Sequence, residues 1–153
     1  MNQVVDFINV NRDRYVEELK QYLAIPSISA LPEHAADVKR AAERIGGMGP
    51  RAVVVKGGHA SFAPAVDILW DAEAGAEELH PDGPVRALLV PGTGCTLSAA
   101  IAARLALGET TRTAVTKAKR YVSRVIAHAE PIGHGHPPGA HFYFLDSDEW
   151  ETR

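Results

Sequence analysis

The sequence contains one cysteine, Cys95, among 153 residues. A single thiol excludes an internal disulfide framework and a cysteine-rich zinc module, and it fits a reducing, cytoplasmic compartment. No run approaches the roughly 20 consecutive apolar residues that a membrane-spanning helix needs, so no membrane partner is expected. The opening Met1–Asp6 lacks a basic stretch followed by an apolar core, so no secretory leader is expected. Positive charge is not in excess. Lys plus Arg is 16 and Asp plus Glu is 19, a net of −3, which speaks against a general nucleic-acid binder. No internal repeat is visible.

What remains is the composition of a soluble globular protein, 46% hydrophobic and 23% charged, with chain enough for one ordinary domain. Apolar residues at helical spacing (Val4, Ile8, Tyr15, Leu19, Leu23) predict a helix over 2–23, ended by Pro26. A second helix starts near Pro32, runs through Val38, Ala41 and Ile45, and stops at Gly46-Gly47. The texture then changes. Ala52–Val55 is a continuous apolar run, as expected of a strand buried on both faces in a parallel sheet. Residues 66–70 and 76–79 read as a hairpin or an edge pair with Gly75 in the connection. Residues 85–90 read as another strand. Helices are predicted over about 95–107, with Leu97, Ile101 and Leu105 inward, and over about 111–128, with Val115, Ala118, Val122, Val125 and Ile126 inward.

Strand 85–90 feeds Gly92-Thr93-Gly94-Cys95-Thr96 and then a helix. The first amides of a helix have no internal partners, and the helix dipole adds positive charge there. Two glycines let a phosphate approach the backbone, and a thiol at that terminus is favoured as thiolate. A base beside an anion hole is a phosphoryl-transfer geometry, although the Walker spacing is absent. The same letters also describe glycines that only shape a strand-to-helix turn, with Cys95 as a small buried residue.

The segment from Gly92 to Ala103 resembles the anion-hole segment of hydroxymethylpyrimidine phosphate kinases, thiamine-pathway enzymes of the ribokinase-like fold. Arg51–His59 is similar to that family's strand and Lys-Gly-Gly-His turn, and Val66–Asp71 to its next strand. Ala114–His128, then Gly133–His136 with His141–Tyr143, are similar to its last helix and C-terminal motif. The resemblance runs from about 49 to 143 and covers the C-terminal half of such a kinase. It implies ATP and Mg²⁺ as cofactors and a small phosphorylated pyrimidine as substrate. It implies Cys95 as the base that deprotonates the attacking oxygen, and Lys56 as the cation facing the ATP phosphates. Gly92, Thr93 and Gly94, with Gly57 and Gly58, are the implied nucleotide-binding residues. The sequence departs from the family at Leu89-Val90-Pro91, where a polar Asn-Thr-His stretch is usual, and at Pro137-Pro138, where a glycine is.

Residues 5–45 instead resemble the N-terminal helix-turn-helix of zinc dipeptidase and aminoacylase metallopeptidases. That family's His-x-Asp motif is missing, because Gly58-His59-Ala60-Ser61 has no aspartate two residues after the histidine. The chain therefore divides into a helical segment 1–45, a kinase-like segment 49–145 and an acidic tail 146–153, joined as two unrelated gene fragments. His134, His136 and His141 invite a zinc reading, but no carboxylate or cysteine completes a ligand set. They read better as hydrogen-bonding a C-terminal loop, and no metal ligands are assigned. Arg104, Arg112, Lys117, Lys119, Arg120 and Arg124 read as the solvated face of an amphipathic helix, with the acidic tail as a potential partner.

The expectation is an α/β fold: a partial ribokinase-like domain with a short, mostly parallel sheet flanked by helices, the first two covering sheet surface. An exposed sheet edge would favour a homodimer. The expected function is ATP-dependent phosphotransfer of the hydroxymethylpyrimidine phosphate kinase type, impaired by the missing N-terminal half. The alternatives are a non-catalytic fusion fragment that binds phosphate or nucleotide, and a metallopeptidase fragment.

Overall fold

A computed structural model describes residues 2–27, 32–57, 66–83 and 90–146. Helix α1 spans Asn2–Leu23, and a single 3-10 turn at Pro32–His34 leads into α2, Ala35–Gly46. Three strands follow: β1 (Ala52–Val55), β2 (Asp67–Asp71) and β3 (Gly75–Leu79). Helices α3 (Thr93–Ala106) and α4 (Thr111–Ala127) complete the architecture, and the chain from Pro131 returns over α4. Gly58 and the predicted strand over 85–89 lie outside the described residues.

The sheet order is β1-β2-β3, and both pairings are antiparallel, with Val54 opposite Leu69 and Leu69 opposite Glu77. The expected parallel pairing is therefore corrected for the described strands. A continuous apolar run reports burial on two faces, which an antiparallel strand covered on both sides satisfies equally well. Asp71 closes the β2–β3 hairpin. Its Oδ1 accepts from the amides of Glu73 (2.8 Å) and Ala74 (3.2 Å), and Gly75 supplies the left-handed φ of 78° that the turn demands.

Alternation along β1 separates two cores. Val53 and Val55 join Ile68, Trp70 and α2's Val38, Ala42 and Ile45 on one face. Val54 points the other way, into Leu97 and Ile101 of α3 and Ala118, Val122 and Ile126 of α4. The sheet is thus sandwiched between α2 and the α3–α4 pair. Gly46 is the point of closest approach on the α2 side, because a Cβ there would sit 2.5 Å from the Trp70 ring.

Two expectations about covering helices change. Helix α2 covers the sheet, but α1 does not; its Val4, Ile8, Leu19 and Leu23 remain exposed. Leu105 of α3 is also exposed, so that helix's buried stripe ends at Ile101. Helix α4 matches its predicted inward face at Val115, Ala118, Val122 and Val125.

The basic stripe is not wholly solvated either. Arg120 and Arg124 reach Asp82 at 3.1 and 3.0 Å, Lys117 and Arg104 reach Glu109 at 2.8 and 3.0 Å, and Arg112 pairs with Glu77. Lys119 is buried. No helix among the described residues is long and apolar enough to cross a membrane.

Candidate active site

The glycine turn enters α3 through Gly92, whose φ of 80° is left-handed and therefore costs a side-chain-bearing residue about 1–2 kcal/mol. The preceding Val90 is buried and anchors the turn, while Pro91 and Gly92 are exposed. The first intrahelical bond runs from the Thr96 amide to the Gly92 carbonyl, 2.9 Å. The amides of Thr93, Gly94 and Cys95 precede it and have no intrahelical acceptor. Among the described residues, a Cβ built on Gly92 or Gly94 would meet nothing within 4 Å, so the turn borders open space there on both glycines. The Thr96 and Ser98 hydroxyls donate back to the carbonyls of Gly92 and Gly94 at 3.0 and 3.1 Å.

Helix α3 starts at Thr93, two residues before the predicted start, which puts Cys95 in its first turn. The thiol is exposed. The reading of Cys95 as a small buried residue therefore fails. Its neighbour two residues on, Leu97, is 3% exposed and forms with Ala118 and Val122 the core cluster against which Val54 of β1 packs. This contact seats the start of α3 over the strand that leads to Lys56.

Lys56 follows β1 directly and is exposed. No described hydrogen bond links it to Cys95; Val54, two residues before Lys56, packs against the core cluster that holds Leu97, two residues after Cys95. Gly57 has a different local role. Its amide donates to Asp67 Oδ1 at 3.0 Å, and a Cβ on it would lie 1.7 Å from the Val66 carbonyl oxygen. Glycine is required there by the close approach of the two strand ends.

Asp67 and Lys119 are functional candidates that the sequence did not mark. Asp67 opens β2 at 2% exposure, and its Oδ2 accepts from Lys119 Nζ at 2.7 Å. Burial is the main cause drawing the Lys119 amine below the ordinary lysine range. The Asp67 carboxylate opposes this, and the charge of Lys56 adds to it. Lys56 thus stands within electrostatic reach of a second, buried cation. The signal available in the sequence was an aspartate at the head of an otherwise apolar strand.

The C-terminal histidines divide. His134 and His136 are exposed, whereas His141 Nδ1 lies 3.2 Å from the Tyr121 hydroxyl, and Tyr143 stacks on His128 with ring centroids 5.0 Å apart. Among the described residues no group of three or more His, Cys, Asp or Glu is placed to hold a metal ion.

Comparison with known proteins places this geometry in a lineage. A family model described as phosphomethylpyrimidine kinase matches residues 18–140. The match takes in α2 and the end of α1, part of the stretch expected to resemble metallopeptidases. The hydroxymethylpyrimidine/phosphomethylpyrimidine kinase of Synechococcus elongatus is 40% identical over 114 residues, 74% of this chain and 43% of that one. The thiamine biosynthesis bifunctional protein ThiED of Geobacter sulfurreducens is 40% identical over 104 residues, 68% of this chain and 21% of its own. Among solved structures, an ADP complex of Bacillus subtilis pyridoxal kinase superimposes with a TM-score of 0.65 at 32% identity, covering 74% of this chain and 42% of that one. The chain spans less than half the length of these relatives. With the matched segment running unbroken from α1 through the glycine turn to the C-terminal loop, the chain belongs to the phosphomethylpyrimidine kinase family.

Proposed function

We propose that this chain carries the phosphate-holding half of an ATP-dependent kinase acting on hydroxymethylpyrimidine phosphate, in a reducing, cytoplasmic setting. The observation that carries the reading is the Gly92 turn. It leaves the amides of Thr93, Gly94 and Cys95 without intrahelical acceptors, borders open space, and exposes a thiol in the same helical turn. These residues fit a nucleotide. The amides and the helix dipole would hold phosphate oxygens, and Lys56 would add a mobile positive charge from the end of β1. ATP, when bound, supplies the phosphoryl group. Mg²⁺ would ride on the nucleotide's phosphates, as it commonly does, rather than in an all-protein cage.

Within that frame Cys95 takes the proton from the attacking oxygen of the substrate. Its place beside the amides keeps the base next to the charge they stabilise. Gly57 shapes the turn that presents Lys56, and Gly58 remains a proposed nucleotide-binding residue beside it. The Asp67–Lys119 pair fixes that turn through the Gly57 amide. The segment 1–45, whatever its metallopeptidase-like origin, supplies α2 as the cover for one sheet face.

The test is ATP-dependent phosphorylation of hydroxymethylpyrimidine phosphate by the full chain. A general base contributes on the order of 10²–10⁴-fold, and Cys95→Ala should remove that factor. Turnover that survives the substitution would refute the role of Cys95. The share of the relatives that is covered favours a second reading, a fragment that binds nucleotide without turnover. Calorimetric ATP binding with no product would select it.

A further inference from the structure

We propose that Lys119 is a positioning residue for phosphate binding: as counter-ion to the Asp67 carboxylate, it keeps that carboxylate from capturing Lys56. The inference rests on the reading of Lys56 as the cation that faces the nucleotide's phosphates. The register of the sheet brings the groups together. Val55 pairs with Ile68, so one step further along the same antiparallel pair Lys56 lies opposite Asp67. Side chains opposite each other across two strands share a face, about 4.5–5.5 Å apart at their Cβ atoms. That face is the one on which Val54 packs against α3 and α4, because alternate residues of a strand point the same way. A lysine opposite an aspartate is the expected cross-strand ion pair, and it does not form. Lys56 is exposed, and among the described residues no salt bridge joins it to Asp67.

Both carboxylate oxygens are engaged from elsewhere. Oδ2 accepts from Lys119 Nζ at 2.7 Å and Oδ1 from the Gly57 amide at 3.0 Å. Lys119 reaches the carboxylate from the packed side of α4, among Val115, Ala118 and Val122. Stability alone gives no reason for a charged pair there, since apolar residues of similar volume serve as well or better. The charge count supplies one. Two ammonium groups and one carboxylate leave one positive charge over, and the arrangement places it on the exposed lysine. The charge of Lys56 acts on Lys119 across the pair, so the three groups form one electrostatic unit. Without Lys119, a buried carboxylate would face Lys56 with no ammonium of its own. The flexible four-carbon stem of Lys56 lets it turn inward, and the cost of an unpaired buried charge drives it there. No positive charge would then be left for a phosphate.

The experiment measures how fast acetic anhydride acylates Lys56 in the full chain, read by mass spectrometry, beside the calorimetric affinity for ATP with Mg²⁺. An ion-paired ammonium is acylated more slowly than a free one, because the pair disfavours the neutral amine that reacts. Lys56 should be reactive in the wild type and protected in Lys119→Met. Lys119→Gln keeps a donor for Asp67 and loses only the charge. It should protect Lys56 in the same way, and it carries the test if the methionine variant does not fold. ATP affinity should fall about 10–100-fold in either variant, the worth of one hydrogen bond to a charged group. Adding Asp67→Asn removes the capturing charge, keeps an acceptor for the Gly57 amide, and should restore both readouts, whereas a merely structural lesion would deepen. Lys56 that stays reactive in the Lys119 variants, or protection that Asp67→Asn fails to reverse, overturns the proposal. Protection that comes and goes as expected while ATP affinity ignores it supports Lys119 as the counter-ion and overturns Lys56 as a phosphate ligand.

Discussion

Asp67 at the head of β2 and Lys119 in the middle of α4 form a buried ion pair, 2.7 Å between Oδ2 and Nζ, whose other carboxylate oxygen holds the amide of Gly57. One side chain therefore ties the end of β1, the start of β2 and the packed face of α4 beneath the residue that presents Lys56. A buried pair of this kind contributes little compared with an apolar substitute, yet losing one member is costly because the other charge stays buried and unpaired.

Asp67→Ala should accordingly lower unfolding stability by about 3–5 kcal/mol. The double variant Asp67→Leu with Lys119→Met should lose markedly less than the single one, since it leaves no orphaned charge. Urea denaturation of both variants checks this, and equal losses would contradict it.

Two glycines of the site should respond oppositely to alanine. Gly57→Ala drives a Cβ into the Val66 carbonyl and should unfold the strand ends or fail to yield folded protein. Gly94→Ala enters open space inside α3 and should raise stability by roughly 0.5–1 kcal/mol, the usual helix preference for alanine. The same methyl narrows the approach to the amides, so nucleotide affinity should fall while the melting temperature rises.

Asp82 lies between Arg120 and Arg124. Its hydrogen bond to Arg124 is the main cause holding its carboxyl below the ordinary aspartate value. A carboxyl depressed in the folded state contributes stability above its unfolded pKa and loses it as pH falls through the folded one. Stability should therefore decline as pH drops below about 4, the ordinary range for aspartate, and Asp82→Asn should flatten part of that decline. Thermal melts from neutral pH to pH 2 read the difference.

Leu69 sits at the centre of β2, 1% exposed, opposite Val54. Leu69→Ala should cost about 2–5 kcal/mol by the same denaturation measurement.

The elements were legible wherever local chemistry decides them. Apolar spacing predicted α1 and α4 to within a residue or so, Gly46-Gly47 marked the end of α2, and Gly75 marked the hairpin. What stayed hidden depends on tertiary partners. The run Ala52–Val55 shows that both faces are covered but not which way its neighbour runs. The stripe of α1 shows an apolar face but not whether this chain covers it. Lys119 lies among five other basic residues of α3 and α4, and only Asp67, 52 positions away, distinguishes it. At the site, Gly92-Thr93-Gly94-Cys95 could be read as a helix start with unpaired amides, because every helix start has them in any fold. The use of the Gly57 amide could not, since its acceptor belongs to another strand.

The most direct test follows backbone amide resonances of the full chain as ATP with Mg²⁺ is titrated in. The account predicts that the amides of Thr93, Gly94 and Cys95 shift downfield and saturate together, with Lys56 following at the same midpoint. If those three amides hold still while others move, the nucleotide binds elsewhere and the Gly92 turn is not an anion hole.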